Sequence, residues 1–458
     1  MAEENNQVTF RDRISTQSAE GRKIKVYTNP PKGKLHTYRL FVAIALLAFF
    51  FGAPLIKING DPIMLFNVTH RKFILFGKIF WPQDFHLLVI AMITFLVALV
   101  LFTVIYGRVW CGWACPQTIF LEMVYRKIEY LIDGNRKNQI RLAQSDWTFE
   151  KVWKRTVKHL LFVILSLLIA NTLLSYFVSA DKVIGLVKAG PGANFGLFVL
   201  TLLIAFVFYF LYTIFREQVC SILCPYGRLQ GVLLDSNSIV VAYDYMRGEP
   251  RGKLTKAVGN CIDCKKCVQV CPTQIDIRNG TQLECINCTA CIDACNSVMT
   301  RMKKPKGLIR FASENEIKNE LPFKFNTRII AYTVALFILL AVLVGLFITN
   351  KKTETTILRT SGSLYQVQPN GDITNLYTVK VINKTGKDQA FELKLLEPEG
   401  TVQLVGKKDT LYRNNVIEEV LILNLPKDQL ITGSNQVTFG IYINGEMTEK
   451  VKTSFLAP

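Results

Sequence analysis

The amino-acid sequence predicts a multi-domain membrane protein with five transmembrane α-helices, a small cysteine-rich module and a C-terminal immunoglobulin-like β-sandwich. Three observations support this prediction. The chain has five long apolar segments, two sets of four closely spaced cysteines within residues 261–295, and a last stretch, residues 351–458, of short strand-like runs separated by turn signals. Half of the residues are hydrophobic and only 19% are charged, which favours a membrane protein over a soluble one.

The N-terminal stretch, residues 1–38, is polar and basic and lacks the apolar core of a cleavable signal peptide. We predict a cytoplasmic tail here. The chain has a formal net charge of +19, but its basic residues flank apolar segments, which suits lipid headgroups better than nucleic acid. We therefore expect membrane lipid as a partner and no nucleic acid.

Five apolar segments follow the tail, and each is long enough to cross a hydrocarbon core of about 30 Å as a helix. They are Leu40–Ile56, Leu87–Tyr106, Leu160–Val178, Phe195–Phe215 and Ile329–Thr349. The first four predict a four-helix membrane domain over residues 39–235, and the fifth predicts a last transmembrane helix over residues 328–350. Buried helices of a soluble core are the alternative, but five such runs with basic flanks disfavour it.

The distribution of lysine and arginine predicts the orientation in the membrane. These residues are concentrated in residues 1–38, 107–157 and 217–327 and sparse in residues 57–85 and 179–193. Because positively charged loops stay in the cytoplasm, we predict a multi-pass protein of the bacterial inner membrane with a cytoplasmic N-terminus and a periplasmic C-terminal domain. All twelve cysteines then lie at or inside the reducing face, which suits metal-binding or redox-active thiols.

The eight cysteines of residues 261–295 repeat the spacing C-x2-C-x2-C-x3-C twice. This is the spacing of bacterial two-cluster ferredoxins, in which the fourth cysteine of each run binds the other 4Fe–4S cluster. The prediction is a cytoplasmic ferredoxin-like module over residues 236–327 with two 4Fe–4S clusters, one held by Cys261, Cys264, Cys267 and Cys295, and the other by Cys285, Cys288, Cys291 and Cys271. Zinc sites and disulfides are the alternatives, and neither normally has this crossed spacing.

The other four cysteines form a second repeat. Cys111 and Cys115, then Cys220 and Cys224, each make a C-x3-C-Pro motif that follows an apolar helix and precedes an amphipathic stretch, Thr118–Ile132 or Tyr226–Leu234. If the two halves pack with pseudo-symmetry, the four thiols converge at the inner membrane surface. They could hold Cu(I), hold a further Fe–S cluster, form two redox-active disulfides, or be buried structural cysteines.

Two regions outside the membrane carry weaker indications. The external loop, residues 57–85, contains Met64 and His70, which could contact copper, although a solvated histidine is the simpler interpretation. The C-terminal domain has no cysteine and no catalytic constellation, so a binding or scaffolding role is expected. The four histidines lie at or beyond the ends of the apolar segments, which argues against a bis-histidine haem.

The sequence resembles the CcoG/FixG/RdxA family, the cytochrome c oxidase accessory proteins, over nearly its whole length. The resemblance rests on Phe80–Asp84, Arg108–Thr118, Val219–Arg228, Tyr243–Gly252, both ferredoxin-type cysteine runs and Gly307–Arg310. It implies a five-helix inner-membrane protein with a two-cluster module and an external immunoglobulin-like domain. It also implies a role in maturing cbb-type oxidase by reducing Cu(II) to Cu(I), with oxidase subunits or copper chaperones as partners.

The leading hypothesis is therefore a cupric reductase. Electrons from a soluble or quinol donor enter the two clusters and pass to a catalytic and metal-binding site made by Cys111, Cys115, Cys220 and Cys224, which are thiols suited to Cu(I). One alternative is a quinol- or quinone-linked ferredoxin-type electron-transfer subunit without copper specificity. Another is a non-enzymatic scaffold for oxidase assembly, in which the clusters are structural.

Overall fold

The computed structural model describes residues 24–458 except 59, 69–71, 82–83, 253–258, 320–326, 350–352, 361–363, 370, 385–386, 407–409 and 413–415. Residues 1–23 of the predicted tail and His70, a candidate copper contact, lie outside the described residues. The chain folds as two compact units. The first comprises Met1–Leu55 and Leu88–Val344, and the second comprises Ile56–Leu87 and Gly345–Pro458.

Five helices in the described residues are long and apolar enough to cross a membrane, as predicted: Lys34–Gly52, Phe85–Tyr106, Phe149–Val178, Phe195–Phe215 and Ile329–Thr349. We name them α1 (Lys34–Gly52), α2 (Phe85–Tyr106), α7 (Phe149–Val178), α9 (Phe195–Phe210, continued by a π-helix, Leu211–Phe215) and α15 (Thr327–Thr349). Helix α7 begins eleven residues before the apolar run because the Thr148 side chain accepts a hydrogen bond from the Lys151 amide at 3.4 Å. Helix α1 ends at Gly52, just before Pro54.

Shorter helices lie between and after the spanning ones. They are α3 (Val109–Trp113), α4 (Pro116–Thr118) with a π-helix (Ile119–Tyr125), α5 (Arg126–Ile132), α6 (Arg136–Gln144), α8 (Ala180–Ala189), a π-helix (Val219–Leu223), α10 (Pro225–Leu233), α11 (Tyr245–Gly248), α12 (Lys266–Gln269), a 3-10 helix (Ile277–Asn279), α13 (Ala290–Arg301) and α14 (Glu314–Lys318). Strands β6 (Val240–Tyr243) and β7 (Ile309–Ala312) pair antiparallel beneath α12 and α13 and complete the ferredoxin-like module.

The described part of the predicted tail, residues 24–33, is packed against the first unit. The Thr28 and Tyr130 hydroxyls are 2.6 Å apart, and the Tyr27 carbonyl accepts a hydrogen bond from Arg136 at 3.0 Å. The Asn29 amide donates to the Gln269 carbonyl of the ferredoxin-like module at 2.9 Å. This segment therefore ties the surface helices α5 and α6 to the cysteine-rich module, and its last predicted residues belong to α1, which begins at Lys34.

The second unit contains two antiparallel sheets, which confirms the immunoglobulin-like sandwich. Its strands are β8 (Thr353–Arg359), β9 (Gln366–Val367), β10 (Ile373–Asn383), β11 (Gln389–Glu397), β12 (Thr401–Val405), β13 (Thr410–Leu411), β14 (Val416–Leu425), β15 (Gly433–Ile443) and β16 (Glu446–Ala457). One sheet has the order β12-β14-β10-β8, with β9 beside β10, and the other has the order β13-β11-β15-β16. Fully buried Tyr377, Phe439 and Phe455 form the centre of the core.

The external loop belongs to this unit as a set of short strands: β1 (Lys57–Ile58), β2 (Asp61–Pro62), β3 (Met64–Asn67), β4 (Lys72–Leu75) and β5 (Lys78–Phe80). Asp84, the last residue of the Phe80–Asp84 motif, explains its attachment. Its carboxylate lies 2.6 Å from the Lys384 ammonium, and both side chains are 4% exposed. Glu354 contacts the same ammonium at 2.8 Å, so a buried charge cluster joins the hairpin to the sandwich.

Candidate functional site

The eight cysteines of the ferredoxin-like module line two neighbouring cavities. One cavity is lined by Cys261, Cys264, Cys267 and Cys295, and the other by Cys271, Cys285, Cys288 and Cys291, with Cys267 also at its edge. The structure thus brings together the two crossed sets of cysteines, while their individual roles as ligands stay a prediction.

The two cysteine loops have the same backbone conformation, which the sequence repeat only suggested. In the first loop, Asp263 and Lys265 flank Cys264 with φ of 50° and 54°, and in the second, Asn287 and Thr289 flank Cys288 with φ of 51° and 64°. Alternating left-handed residues turn successive amide N–H groups to one side and make the concave nests that hold Fe–S clusters. The loops are therefore shaped for an anionic, thiolate-bound group.

The chemistry of these thiols also fits metal clusters. Burial raises the pKa values of Cys267, Cys285 and Cys295 to about 12, so without a metal each would stay a neutral thiol. A bound metal replaces the proton and recovers the cost of burying the thiolate. Buried apolar side chains, including Ile275, Ile277 and Leu308, pack around these cysteines, while Cys264 is exposed.

The two C-x3-C-Pro motifs have related structures. Cys115 and Cys224 each precede a helix as its N-cap, with Pro116 and Pro225 in the first helical position, where a missing amide hydrogen costs nothing. Cys111 lies in α3, and Cys220 lies in the π-helix Val219–Leu223. The predicted repeat is therefore present in the fold, although its first cysteines lie in different kinds of turn.

The four motif thiols are neighbours. Burial raises the pKa of Cys220 to about 12, and the thiols of Cys111, Cys115 and Cys224 add to the shift. Burial likewise raises the pKa of Cys111 to about 12, with a smaller opposing effect of the Arg108 guanidinium and further contributions from Cys115 and Cys224. The described residues contain no group of three or more His, Cys, Asp or Glu side chains with metal-binding geometry, either here or at the eight cysteines of the ferredoxin-like module.

Cys111 is held by a polar cluster that sequence reasoning did not identify. Its thiol donates a hydrogen bond to Gln230 Oε1 at 3.1 Å, and Arg108 Nε donates to the same oxygen at 3.0 Å. The remaining Arg108 nitrogens donate to the carbonyls of Gly227 and Leu283. Arg108 thus joins the start of the first motif, the helix after the second motif and the ferredoxin-like module.

The second cysteine loop packs directly against the first C-x3-C-Pro motif. A methyl group added at Gly112 would lie 3.0 Å from the Cα of Cys288 and would clash with the Ile286 carbonyl oxygen. Trp113 Nε1 donates to the Asn287 carbonyl at 3.3 Å, and Cys111 packs against the cluster of Ile286, Cys288 and Ala290. The motif glycine therefore permits close approach of the two sets of cysteines.

Replacing Gly112 by alanine should push the Cys288 loop away from Cys111. We expect slower electron transfer from the ferredoxin-like module to the motif thiols and partial loss of iron from the second cysteine set. Iron analysis, EPR and stopped-flow oxidation of the reduced protein would measure this effect. Gly185→Ala is the matched control because an added methyl group meets nothing within 4 Å there, and equal behaviour of the two variants would contradict the proposed contact.

A chain of five buried charges links the two halves of the membrane domain. Arg126 contacts Glu122 at 2.9 Å and also contacts Glu217, while Arg216 contacts Glu129 at 2.6 Å and Glu217 at 3.5 Å. Their side chains are between 2% and 11% exposed. The stretch Thr118–Ile132, which we predicted to be amphipathic, therefore turns these charges to protein rather than to solvent.

The electrostatics of this chain of charges follow from its burial. Burial alone would raise the pKa of Glu129, but the Arg216 guanidinium and its hydrogen bonds outweigh burial and lower that pKa to about 2. Burial raises the pKa of Glu122 from its ordinary value, and the Arg126 guanidinium opposes that rise. The sequence signal was available: Arg216-Glu217 follows an apolar helix directly, and Glu122, Arg126 and Glu129 share one helix face.

Comparison with known proteins agrees with the fold and the site. Residues 215–314 match a family described as a 4Fe–4S dicluster domain, residues 88–138 match a 4Fe–4S binding domain, and residues 343–458 match the immunoglobulin-like fold at the C-terminus of FixG. Dicluster ferredoxin domains beside apolar helices define a membrane iron–sulfur electron-transfer protein.

Its relatives specify the family. The chain is 34% identical over 386 residues to protein RdxA of Cereibacter sphaeroides, covering 80% of this chain and 81% of that protein. It is 33% identical to protein RdxB of the same organism, with 83% of each chain covered. It is 28% identical to the nitrogen fixation protein FixG of Rhizobium meliloti, covering 84% of this chain and 81% of that protein. The chain belongs to the FixG/RdxA family.

Proposed function

We propose that this protein reduces Cu(II) to Cu(I) at the four thiols of the C-x3-C-Pro motifs, with electrons supplied through the ferredoxin-like module. The observation that carries the proposal is the contact of the Cys288 loop with Gly112, which lies next to Cys111. A thiol site this close to a cluster-binding loop is placed to receive electrons from it. Thiolates favour Cu(I), so the same site stabilises the product.

Each group of residues would have a separate role in this reaction. Cys261, Cys264, Cys267 and Cys295 would hold one 4Fe–4S cluster, and Cys285, Cys288, Cys291 and Cys271 would hold the other. When bound, such clusters supply reversible one-electron transfer. Gln230 orients the Cys111 thiol by accepting its hydrogen bond, and the Arg108 guanidinium beside it opposes the effect of burial and favours the thiolate that binds copper.

The proposal also includes the membrane orientation, the substrate and the partners of the protein. Basic loops favour an inner-membrane protein with a cytoplasmic N-terminus and ferredoxin-like module over residues 236–327 and a periplasmic domain over residues 351–458. Copper ions are the substrate. Oxidase subunits or copper chaperones would receive the Cu(I), and the immunoglobulin-like domain would bind them.

The test is Cu(II) reduction by the purified full-length protein. After anaerobic reduction of the clusters and removal of excess reductant, added Cu(II) should be reduced with one electron per ion, and a Cu(I)-specific chromophore would report the product. Reoxidation of the clusters, followed by EPR, should match the Cu(I) formed. Clusters that stay reduced in the presence of Cu(II) would overturn the proposal.

A further inference from the structure

An apolar crevice lies between the spanning helices α2 and α15. The crevice is lined by Phe95, Ala98, Leu99 and Phe102 of α2, by Leu336 and Leu340 of α15, and by Trp110 and Tyr226. Its volume is about 220 Å³ and its wall is apolar surface throughout. All of these residues lie within the first compact unit, so the crevice is part of one folded body.

The position of the crevice between two apolar helices indicates that its occupant is soluble in lipid. The helices that form it carry exposed apolar side chains along their lengths, such as Leu96 at 54% and Phe337 at 68% exposed, and these contact lipid in a membrane. A molecule entering from the side therefore comes from the bilayer. The volume is smaller than the 300 Å³ or so at which pockets for drug-sized ligands begin, so it takes one ring system and leaves a long tail outside.

Two lining residues, Trp110 and Tyr226, belong to the two C-x3-C-Pro segments. Trp110 directly precedes Cys111, and Tyr226 follows Cys224 by two residues. The Tyr226 hydroxyl lies 3.0 Å from Thr103 Oγ1, and Gln230 Nε2 donates to that oxygen at 3.4 Å. Since Gln230 Oε1 accepts the hydrogen bond from Cys111, an unbroken polar chain runs from the crevice wall to the thiol.

We propose that this crevice binds the ring of an isoprenoid quinone, with the isoprenoid tail in the lipid. A planar ring can stack on, or meet edge-to-face, the rings of Trp110, Tyr226 and Phe102, and these contacts stabilise its binding. A flexible acyl chain makes no such contacts with aromatic walls. A redox-active headgroup would also account for the position of this aromatic-lined crevice beside Cys111. The inference rests on the proposed function only in that the bound ring would then lie next to the copper-reducing thiols.

The experiment is photolabelling of the full-length protein in phospholipid nanodiscs. The probe is an azido-ubiquinone with a short isoprenoid tail, and labelled peptides are located by mass spectrometry. We expect label on the α2 and Trp110 peptides and displacement by unlabelled ubiquinone. Ala98→Phe, which fills the crevice, should lower labelling about tenfold or more. Val97→Phe is the matched control because Val97 faces outward on the same helix, is 40% exposed and should label like the wild type.

Three outcomes would overturn the inference. They are equal labelling of the two variants, label confined to other peptides of the wild type, and labelling of the crevice by a photoactivatable phosphatidylcholine that ubiquinone does not displace. The wild-type peptide map does not depend on the folding of a variant. Labelling needs no reductant and no copper, so failure of the copper reaction and failure of quinone binding are separate results.

Discussion

Serine at both Cys220 and Cys224 should abolish Cu(II) reduction while the protein keeps the iron of two 4Fe–4S clusters. Neither residue lines the two cluster cavities. Across the repeat, Cys220 is a neighbour of Cys111 and Cys115, and Cys224 is a neighbour of Cys111. A serine hydroxyl is a hard, weakly acidic ligand that does not stabilise Cu(I), so loss of two thiolates should lower the rate by at least about a hundredfold. Iron analysis and EPR of the variant would establish that the clusters remain.

The control for this pair is Ser221→Ala in the same turn. Ser221 Oγ donates to the Glu217 carbonyl at 3.3 Å, and its loss removes no thiol. This variant should reduce Cu(II) at nearly the wild-type rate. If the double serine variant with intact clusters still reduced Cu(II) normally, the motif thiols would have no part in the reaction, and copper would be reduced at the ferredoxin-like module itself.

The sequence was sufficient for features determined by local spacing. The two cysteine runs predicted which thiols meet in each cavity because the loop geometry of a two-cluster ferredoxin follows from the intervals between cysteines. The apolar runs predicted the spanning helices because length and hydropathy alone decide them. In the sandwich, the burial of β10, β14 and β15 alternates along most of their length, as strand-like runs predict, whereas the charged residues of Glu446–Ala457 obscure the pattern of β16.

Features that depend on tertiary contact were beyond the sequence. In the sequence, Gly112 is simply the residue after Cys111, and its neighbours along the chain do not indicate that the Cys288 loop passes within contact distance. The stretch Thr118–Ile132 was predicted to be amphipathic, but periodicity cannot distinguish protein from water as the neighbour of its polar face, which includes Glu122, Arg126 and Glu129. The sequence shows that Arg216-Glu217 follows an apolar helix directly, but which charges these two residues pair with is determined by the tertiary structure.

Replacing Arg216 by methionine should strongly destabilise the membrane domain. The change leaves the Glu129 carboxylate without its bidentate partner at 2.6 and 2.9 Å, and an uncompensated buried charge costs about 3–5 kcal/mol. Because the Glu129 pKa is about 2 in the folded protein, its stabilising contribution is complete above its ordinary value near 4.5 and is lost only as the pH falls through about 2. The loss on mutation should therefore be the same throughout the physiological pH range. Thermal unfolding of the purified protein in detergent would measure it.

A compensating double variant separates the loss of a charge pair from the loss of packing. Arg216→Met with Glu129→Met removes both charges and should recover most of the lost Tm, since apolar residues can replace a buried pair at little cost. Lys154→Met, in the solvent-exposed pair with Glu150, is the control and should leave the Tm unchanged. Arg216 lies four residues before Cys220 and has a φ of 51°, so its contacts help to hold the backbone of this segment. We therefore expect the single variant to expose the Cys220 thiol to maleimide and the double variant to leave it protected. A double variant as unstable as the single one would mean that the arginine stem, rather than its charge, holds the second C-x3-C-Pro motif in place.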